Sequence, residues 1–113
     1  MTLETKAKNW WETLHDSEKG LESEDYMDLK VLTAMIIDRY LHTYSRDNSL
    51  TKQDAIEAME LDYKVTHRMF SDDEWIKQHG LIIFTEDNYQ IRAEEFWQDR
   101  NHPNFDKDWA VFY

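Results

Sequence analysis

Hydrophobic residues recur at spacings of three and four in the first half of the chain, and this spacing lines up one face of a helix. The stripe from Leu3 to Leu14 predicts a first helix, which Gly20 would end because glycine tolerates the left-handed backbone. Trp10 and Trp11 are adjacent, so we expect one of them to be partly exposed. A second stripe, from Tyr26 to Tyr44, predicts a helix of about five turns.

A third helix is predicted to begin after Thr51. The Thr51 hydroxyl can cap the first turn, and Asp54, three residues later, can answer it in a variant of the capping box. Ala55 and Met59 then fall on the inward face of this helix. Asp62, close behind, is a candidate cap for the next helix.

The segment from Asp62 to His79 places Val65, Met69 and Ile76 on one helical face. We therefore predict one long helix over this segment. Ser71 begins a second capping-box pattern, so the alternative is two short helices that break there.

The hydrophobic period changes from that of a helix to that of a strand after Gly80. Two short apolar runs, Leu81 to Thr85 and Tyr89 to Arg92, flank the turn residues Glu86 to Asn88. This arrangement predicts a β-hairpin. Residues 93–100 again have a helical pattern.

These elements predict a single domain over residues 1–113 that is mainly α with a small β-hairpin, an added N-terminal helix and an aromatic C-terminal segment. The residues predicted to form one buried core are Leu32, Met35, Ile36, Tyr40, Ile56, Val65, Met69, Ile76, Ile83 and Ile91.

Residues 50–92 follow the order short helix, turn, second helix, glycine and hairpin, with Gly80-Leu81-Ile82 at the entry to the hairpin. This order resembles a winged helix-turn-helix domain. The resemblance implies a winged-helix-like helical domain in which Asp62 to His79 is the recognition helix and Glu86 to Asn88 is the wing tip. Members of this family mostly bind DNA, but many serve as protein-binding modules, so the fold alone does not assign a function.

Charge favours a protein partner. The chain carries 24 acidic and 13 basic residues, and its formal net charge is −11. Such a charge repels nucleic acid and anionic membrane surfaces at long range and attracts basic proteins. The acidic residues predicted to contact a partner lie on the third helix and at the wing tip: Asp54, Glu57, Glu60, Glu86 and Asp87.

The residues that catalysis usually needs are absent or scattered. The chain has no cysteine, which excludes a disulfide framework, a zinc-thiolate site and a thiol nucleophile. Its five histidines form no zinc-hydrolase motif, and its two glycines cannot build a phosphate-binding loop. We therefore predict no catalytic residue, no metal site and no cofactor.

The sequence also predicts a cytoplasmic protein. Its apolar runs, such as Ala34 to Ile37 and Leu81 to Phe84, are too short to span a bilayer. The first residues lack the basic start and apolar stretch of a secretory signal.

Three functions compete. The first is a non-enzymatic acidic module that binds a basic protein, such as an inhibitor of a nuclease by nucleic-acid mimicry, of the phage anti-defence or immunity type. The second is a winged-helix transcriptional regulator that contacts DNA through Lys64, Thr66, His67 and Arg68 at the start of the recognition helix. The third is a structural or assembly subunit.

Overall fold

The computed structural model describes residues 1–19 and 28–113. The predicted helix end at Gly20 and the predicted helix beginning at Tyr26 lie outside the described residues. The chain divides into two compact units, Met1–Thr43 and Tyr44–Tyr113.

Helices form the described part of the first unit. They are α1 (Leu3–Glu12), α2 (Asp16–Lys19) and α3 (Leu29–Ser45), whose last two residues belong to the second unit. Trp11 is buried and the adjacent Trp10 is half-buried, as their adjacency predicts. The ring of Trp10 meets Tyr40 edge-on, with the ring centroids 5.8 Å apart.

The second unit begins with the predicted capped helix, α4 (Lys52–Glu60). The Asp54 amide donates to the Thr51 hydroxyl at 3.1 Å, and the Thr51 amide donates to the Asp54 carboxylate at 3.1 Å. Both halves of the capping box are therefore present, and two amides at the helix start are satisfied. This prediction is confirmed.

A five-stranded antiparallel sheet follows α4 in the described part of the chain. Its strands, in chain order, are β1 (Val65–His67), β2 (Ile76–His79), β3 (Ile82–Thr85), β4 (Gln90–Arg92) and β5 (Trp109–Val111). They lie side by side in the order β4-β3-β2-β1-β5. The predicted hairpin is confirmed as the β3–β4 pair, but it is part of a larger sheet, so the expected mainly α fold with a small hairpin holds only roughly.

The predicted helix over residues 62–79 is wrong, because this segment contains β1, a turn and β2. The alternative of two short helices is wrong for the same reason. Met69, predicted to face inward, is 62% exposed, whereas His67 is only 2% exposed. Alternation along β1 puts Val65 and His67 on the buried face, and two β-branched residues in succession favour a strand. Met69 lies in the turn beyond β1 and is therefore exposed.

Ser71 and Glu74 close the turn between β1 and β2 instead of starting a helix. The Glu74 amide donates to the Ser71 carbonyl at 3.0 Å, and the Ser71 hydroxyl donates to the Glu74 carboxylate at 3.1 Å. Asp62 does not cap a helix, and it has a positive φ of 76° just before β1. Between α4 and the β3–β4 hairpin, the structure therefore has strands and turns where the resemblance implies a recognition helix.

The helix α5 (Ala93–Asp99) packs against β3 and β4, while α4 packs against β1, β2 and β5. Of the ten residues predicted for the core, five are buried: Ile36, Tyr40, Val65, Ile76 and Ile83. Leu32, Met35, Ile56 and Ile91 are half-buried. The aromatic C-terminal segment contributes a core strand, because Trp109 is fully buried in β5.

Candidate functional site

An open groove of about 230 Å³ lies at one end of the β2–β3 pair, where Ile76 faces Thr85. Ile76, Thr85 and Ile91 form its floor. These three residues share one face of the sheet, because Ile76 pairs with Thr85, Ile91 pairs with Ile83, and Ile83 lies two residues from Thr85 on the same strand. Phe96 and Arg100, from α5 and its C-terminal end, line the groove as well.

Three carboxylates line this groove: Glu74, Glu86 and Asp87. The turn at Ser71 positions Glu74, as described above. The Thr85 hydroxyl donates to the Asp87 carboxylate at 2.5 Å and accepts from the Tyr89 amide at 3.1 Å, which holds the hairpin turn. Asn88 closes the turn with a φ of 66°, a conformation that asparagine tolerates better than most residues. Within the described residues, none of the three carboxylates makes an ion pair.

Aromatic rings form the other walls of the groove: Phe70, Trp75, Tyr89 and Phe96. Phe96 is buried, whereas Tyr89 is 68% exposed. Two of the rings carry a cation of the chain itself. The Lys64 ammonium lies 4.3 Å from the centroid of the Trp75 ring, and the Arg100 guanidinium lies 3.9 Å from that of Phe96.

Arg100 lines the same groove as the three carboxylates but makes no ion pair with them among the described residues. In residues 1–19 and 28–113, the Arg100 guanidinium contacts the Phe96 ring, and no carboxylate lies within 4.0 Å of its nitrogens. The groove therefore combines three carboxylates with one guanidinium, for a formal charge of −2.

The acidic residues predicted to bind a partner do not form one surface. Glu86 and Asp87 are exposed and line the groove. Glu60 is exposed at the opposite end of the β2–β3 pair, where it lines a concavity of about 280 Å³ with His79 and Gly80. Glu57 is half-buried on α4, one turn before Glu60.

Asp54 must be removed from the predicted binding surface. It is 2% exposed, and its carboxylate accepts the Thr51 amide inside the capping box. Its role in the structure is therefore to begin α4.

At the opposite end of the β2–β3 pair, the Asp62 carboxylate is paired with a cation of the chain itself. Lys77 Nζ lies 2.7 Å from its Oδ1, and His79 Nε2 lies 3.8 Å from the same atom. The hydrogen bond and the charge of Lys77, with a smaller contribution from His79, lower the pKa of the Asp62 carboxyl below its ordinary value.

The residues predicted for DNA contact make contacts within the protein, although Lys64 and Arg68 are exposed. The Lys64 ammonium lies over Trp75, and the Thr66 hydroxyl donates to the Glu74 carbonyl at 2.8 Å. Arg68 donates to the Asp47 carbonyl at 3.1 Å and lies 3.9 Å from the Asp108 carboxylate.

His67 is an interior residue. Its Nδ1 accepts the Met69 amide at 3.0 Å, so this nitrogen carries no proton. Its Nε2–H therefore donates, and the Asn104 and Lys107 carbonyls lie 2.9 and 2.7 Å away. The imidazole centroid lies 4.8 Å from that of Trp109. A buried ring with both nitrogens engaged cannot contact a nucleic acid.

Sequence reasoning missed most of the groove. Glu74 is the last position of the capping-box pattern that begins at Ser71, and Phe70, Tyr89 and Arg100 belong to no motif. These residues come from separate segments that only the sheet brings together. Among the described residues, no three histidine, aspartate or glutamate side chains are grouped so that they could hold a metal ion.

Comparison with models of protein families, with curated proteins and with solved structures finds no match to this chain. Within residues 1–19 and 28–113, every helix is too short or too polar to cross a bilayer.

Proposed function

We propose that this protein is a non-enzymatic interaction module that binds a basic protein through the groove beside Thr85. The observation that carries the proposal is the collection of Glu74, Glu86 and Asp87 around aromatic walls, without an ion pair among the described residues. Asp62, in contrast, is neutralised by the chain's own Lys77.

The chemistry of the groove suits cationic side chains. Carboxylates accept strong hydrogen bonds from ammonium and guanidinium groups. Aromatic faces attract the same cations, by about 0.5–1 kcal/mol at exposed sites. A net charge of −11 adds a long-range attraction that speeds the encounter with a basic partner.

The class of partner follows from this chemistry. A basic surface that normally holds nucleic acid presents arginine and lysine side chains in quantity. We propose that the protein occupies such a surface on a nuclease or another nucleic-acid-handling protein and inhibits it by nucleic-acid mimicry, as phage anti-defence and immunity proteins would.

Charge reversal tests the proposal with a matched control. E86K/D87K changes two groove carboxylates, and E57K/E60K makes the same charge change on α4. The probe is a fluorescent peptide of alternating arginine and glycine, with association followed by stopped flow. We expect E86K/D87K to slow association by about tenfold and E57K/E60K to slow it far less. Circular dichroism checks that both variants fold, and E86Q/D87N provides a version that keeps the hydrogen bonds of the turn.

Equal slowing by the two double variants would contradict the proposal, because association would then follow net charge and not the groove. An unchanged rate in E86K/D87K would contradict it as well. The rate for the unmodified protein should also fall as salt is added, since steering is a screened effect.

Nothing specific favours the transcriptional regulator. Residues 62–79 form strands, and Lys64, Thr66 and Arg68 are engaged within the protein. We expect no tight binding to random duplex DNA at physiological salt. Saturable binding of a labelled duplex that weakens steeply as salt rises would support that function instead.

A further inference from the structure

We infer that the groove selects arginine over lysine, with the Tyr89 ring and the carboxylates of Glu86 and Asp87 as the contact points for the partner's guanidinium. The inference rests on the proposed function and assigns the side chain that the same groove recognises. It also assigns a role to Arg100, which acts as the chain's own competitor for the groove.

The first step is that the aromatic walls of the groove differ in the groups that already contact them. Lys64 lies over Trp75, and Arg100 lies over Phe96. Phe70 meets the Trp109 ring edge-on at 5.7 Å. Across the described residues, Tyr89 is the wall for which no cation or ring contact is found, and it is 68% exposed. The groove therefore offers an incoming cation one open ring.

The second step is the position of the open ring. Tyr89 follows Glu86 and Asp87 in one hairpin turn, and the Thr85 hydroxyl holds both the Asp87 carboxylate and the Tyr89 amide. A ring and two carboxylates on one fixed turn favour a flat group that can stack and donate at the same time. Guanidinium does both through its planar fork, whereas ammonium is a compact charge without a stacking face.

The third step is the state of Arg100. Arg100 lines the groove, and its guanidinium lies 3.9 Å from the centroid of the Phe96 ring, which also lines the groove. It makes no ion pair with Glu74, Glu86 or Asp87 in the part of the chain that the structure describes. Its charge therefore opposes an incoming cation without being tied to a carboxylate.

The first experiment compares three capped tripeptides, glycine-X-glycine, in which X is arginine, lysine or the neutral isostere citrulline. Binding is followed by NMR titration of the Tyr89 ring signals and of the backbone amides of residues 85–91. We expect arginine to bind about three- to fivefold more tightly than lysine, because both cations are attracted to the ring but only the planar guanidinium can stack on it and donate to the carboxylates at the same time. Citrulline should bind more weakly than both.

Tyr89→Ala should abolish the preference for arginine over lysine. Tyr113→Ala removes another exposed tyrosine beyond β5, at the other edge of the sheet, and should leave the preference intact. A preference that survives in Tyr89→Ala would overturn the assignment of this ring.

Arg100→Gln should tighten binding of the arginine tripeptide by about two- to fivefold, because a like charge is removed from the groove. Arg92→Gln makes the same charge change outside the groove lining and should have a smaller effect. Weaker binding in Arg100→Gln would overturn the role of competitor, since Arg100 would then help to hold the ligand.

The failures are distinguishable. If arginine and lysine tripeptides bind equally well and E86K/D87K still weakens both, the selectivity is wrong and the proposed function stands. If neither tripeptide perturbs residues 85–91 and E86K/D87K leaves association with the arginine-glycine peptide unchanged, the proposed function itself fails.

Discussion

The two ends of the β2–β3 pair use acidic residues in opposite ways. Beyond His79, Asp62 is held by Lys77 at 2.7 Å, and His79 lies near the same oxygen. Beyond Thr85, Glu86 and Asp87 line a groove with Glu74, and the guanidinium of Arg100 in that groove is not paired with them. The ends are about 10 Å apart, since three residue steps of a strand separate Ile76 from His79.

The acidic residues at the two ends therefore differ in whether a cation of the chain itself compensates them. A carboxylate that has its own lysine adds little to recognition, because a partner must first displace that lysine. Carboxylates without an internal cation keep their hydrogen-bonding capacity for a partner. A net charge of −11 favours long-range steering of cations, whereas the placement of the chain's own cations distinguishes the carboxylates that are paired from those that are not.

The largest expected effect on stability comes from a substitution in β3, the strand that both ends of the β2–β3 pair share. Ile83 is fully buried in the middle of β3 and pairs with Gln78 and Ile91. Ile83→Ala should lower the free energy of unfolding by about 2–5 kcal/mol through lost burial and a cavity. Urea denaturation measures the loss. Ile82→Ala, at a half-buried neighbour on the other face, should cost less. A loss below about 0.5 kcal/mol for Ile83→Ala would mean that β3 is placed wrongly.

Loosening one end at a time should separate stability from recognition. Gly80 has a φ of +57° with no heavy atom within 4 Å of an added Cβ, so Gly80→Ala meets backbone strain but no clash. We expect a loss of about 1–2 kcal/mol in unfolding free energy. Binding of the arginine-glycine peptide should be unchanged, because the groove lies at the other end. Weakened binding would show that the two ends are coupled.

Thr85→Val is the matching change at the groove end. It removes the hydroxyl that donates to Asp87 and accepts from Tyr89. We expect a loss of about 0.5–1.5 kcal/mol in unfolding free energy together with weaker peptide binding, because the turn that carries the carboxylates becomes less ordered. Thermal denaturation and peptide titration measure the two effects. Lost stability with unchanged binding would show that the turn needs no fixed geometry.

The parts of the fold that local sequence controls could be predicted. Thr51 and Asp54 lie three residues apart and form the capping box that their spacing predicts. The β3–β4 hairpin also depends on neighbours in sequence. The strand β1 depends instead on β5, since Val65 pairs with Val111 from the far end of the chain. A local window that finds Val65, Met69 and Ile76 on one helical face cannot detect this distant partner.

The candidate site was less predictable than the fold. Glu86 and Asp87 could be found because a polar hairpin turn is exposed. The spacing of Thr51 and Asp54 predicts the capping box but does not indicate that the Asp54 carboxylate is buried. Arg100 joins the groove only because α5 packs against β3 and β4, and no local pattern indicates that contact.

The smallest expected effect concerns the pKa of Asp62, at the end of the β2–β3 pair opposite the groove. The Lys77 hydrogen bond and charge hold the pKa of the Asp62 carboxyl below its ordinary value, with His79 adding to the effect. A carboxyl whose pKa is lower in the folded state contributes stability above its ordinary pKa. That contribution is lost as the pH falls from the ordinary aspartate range through the lowered value. Lys77→Met should therefore raise the Asp62 pKa toward the ordinary range and make stability less dependent on pH in this acidic window. NMR titration of the Asp62 carboxyl carbon measures the first effect, and urea denaturation at several acidic pH values measures the second.

Lys64→Met removes the charge of a nearby lysine that lies over Trp75, and it should leave the Asp62 pKa in place. The same Asp62 pKa in Lys77→Met and in the unmodified protein would show that this end of the strand pair is not neutralised by Lys77, and the contrast with the groove would then lose its physical basis.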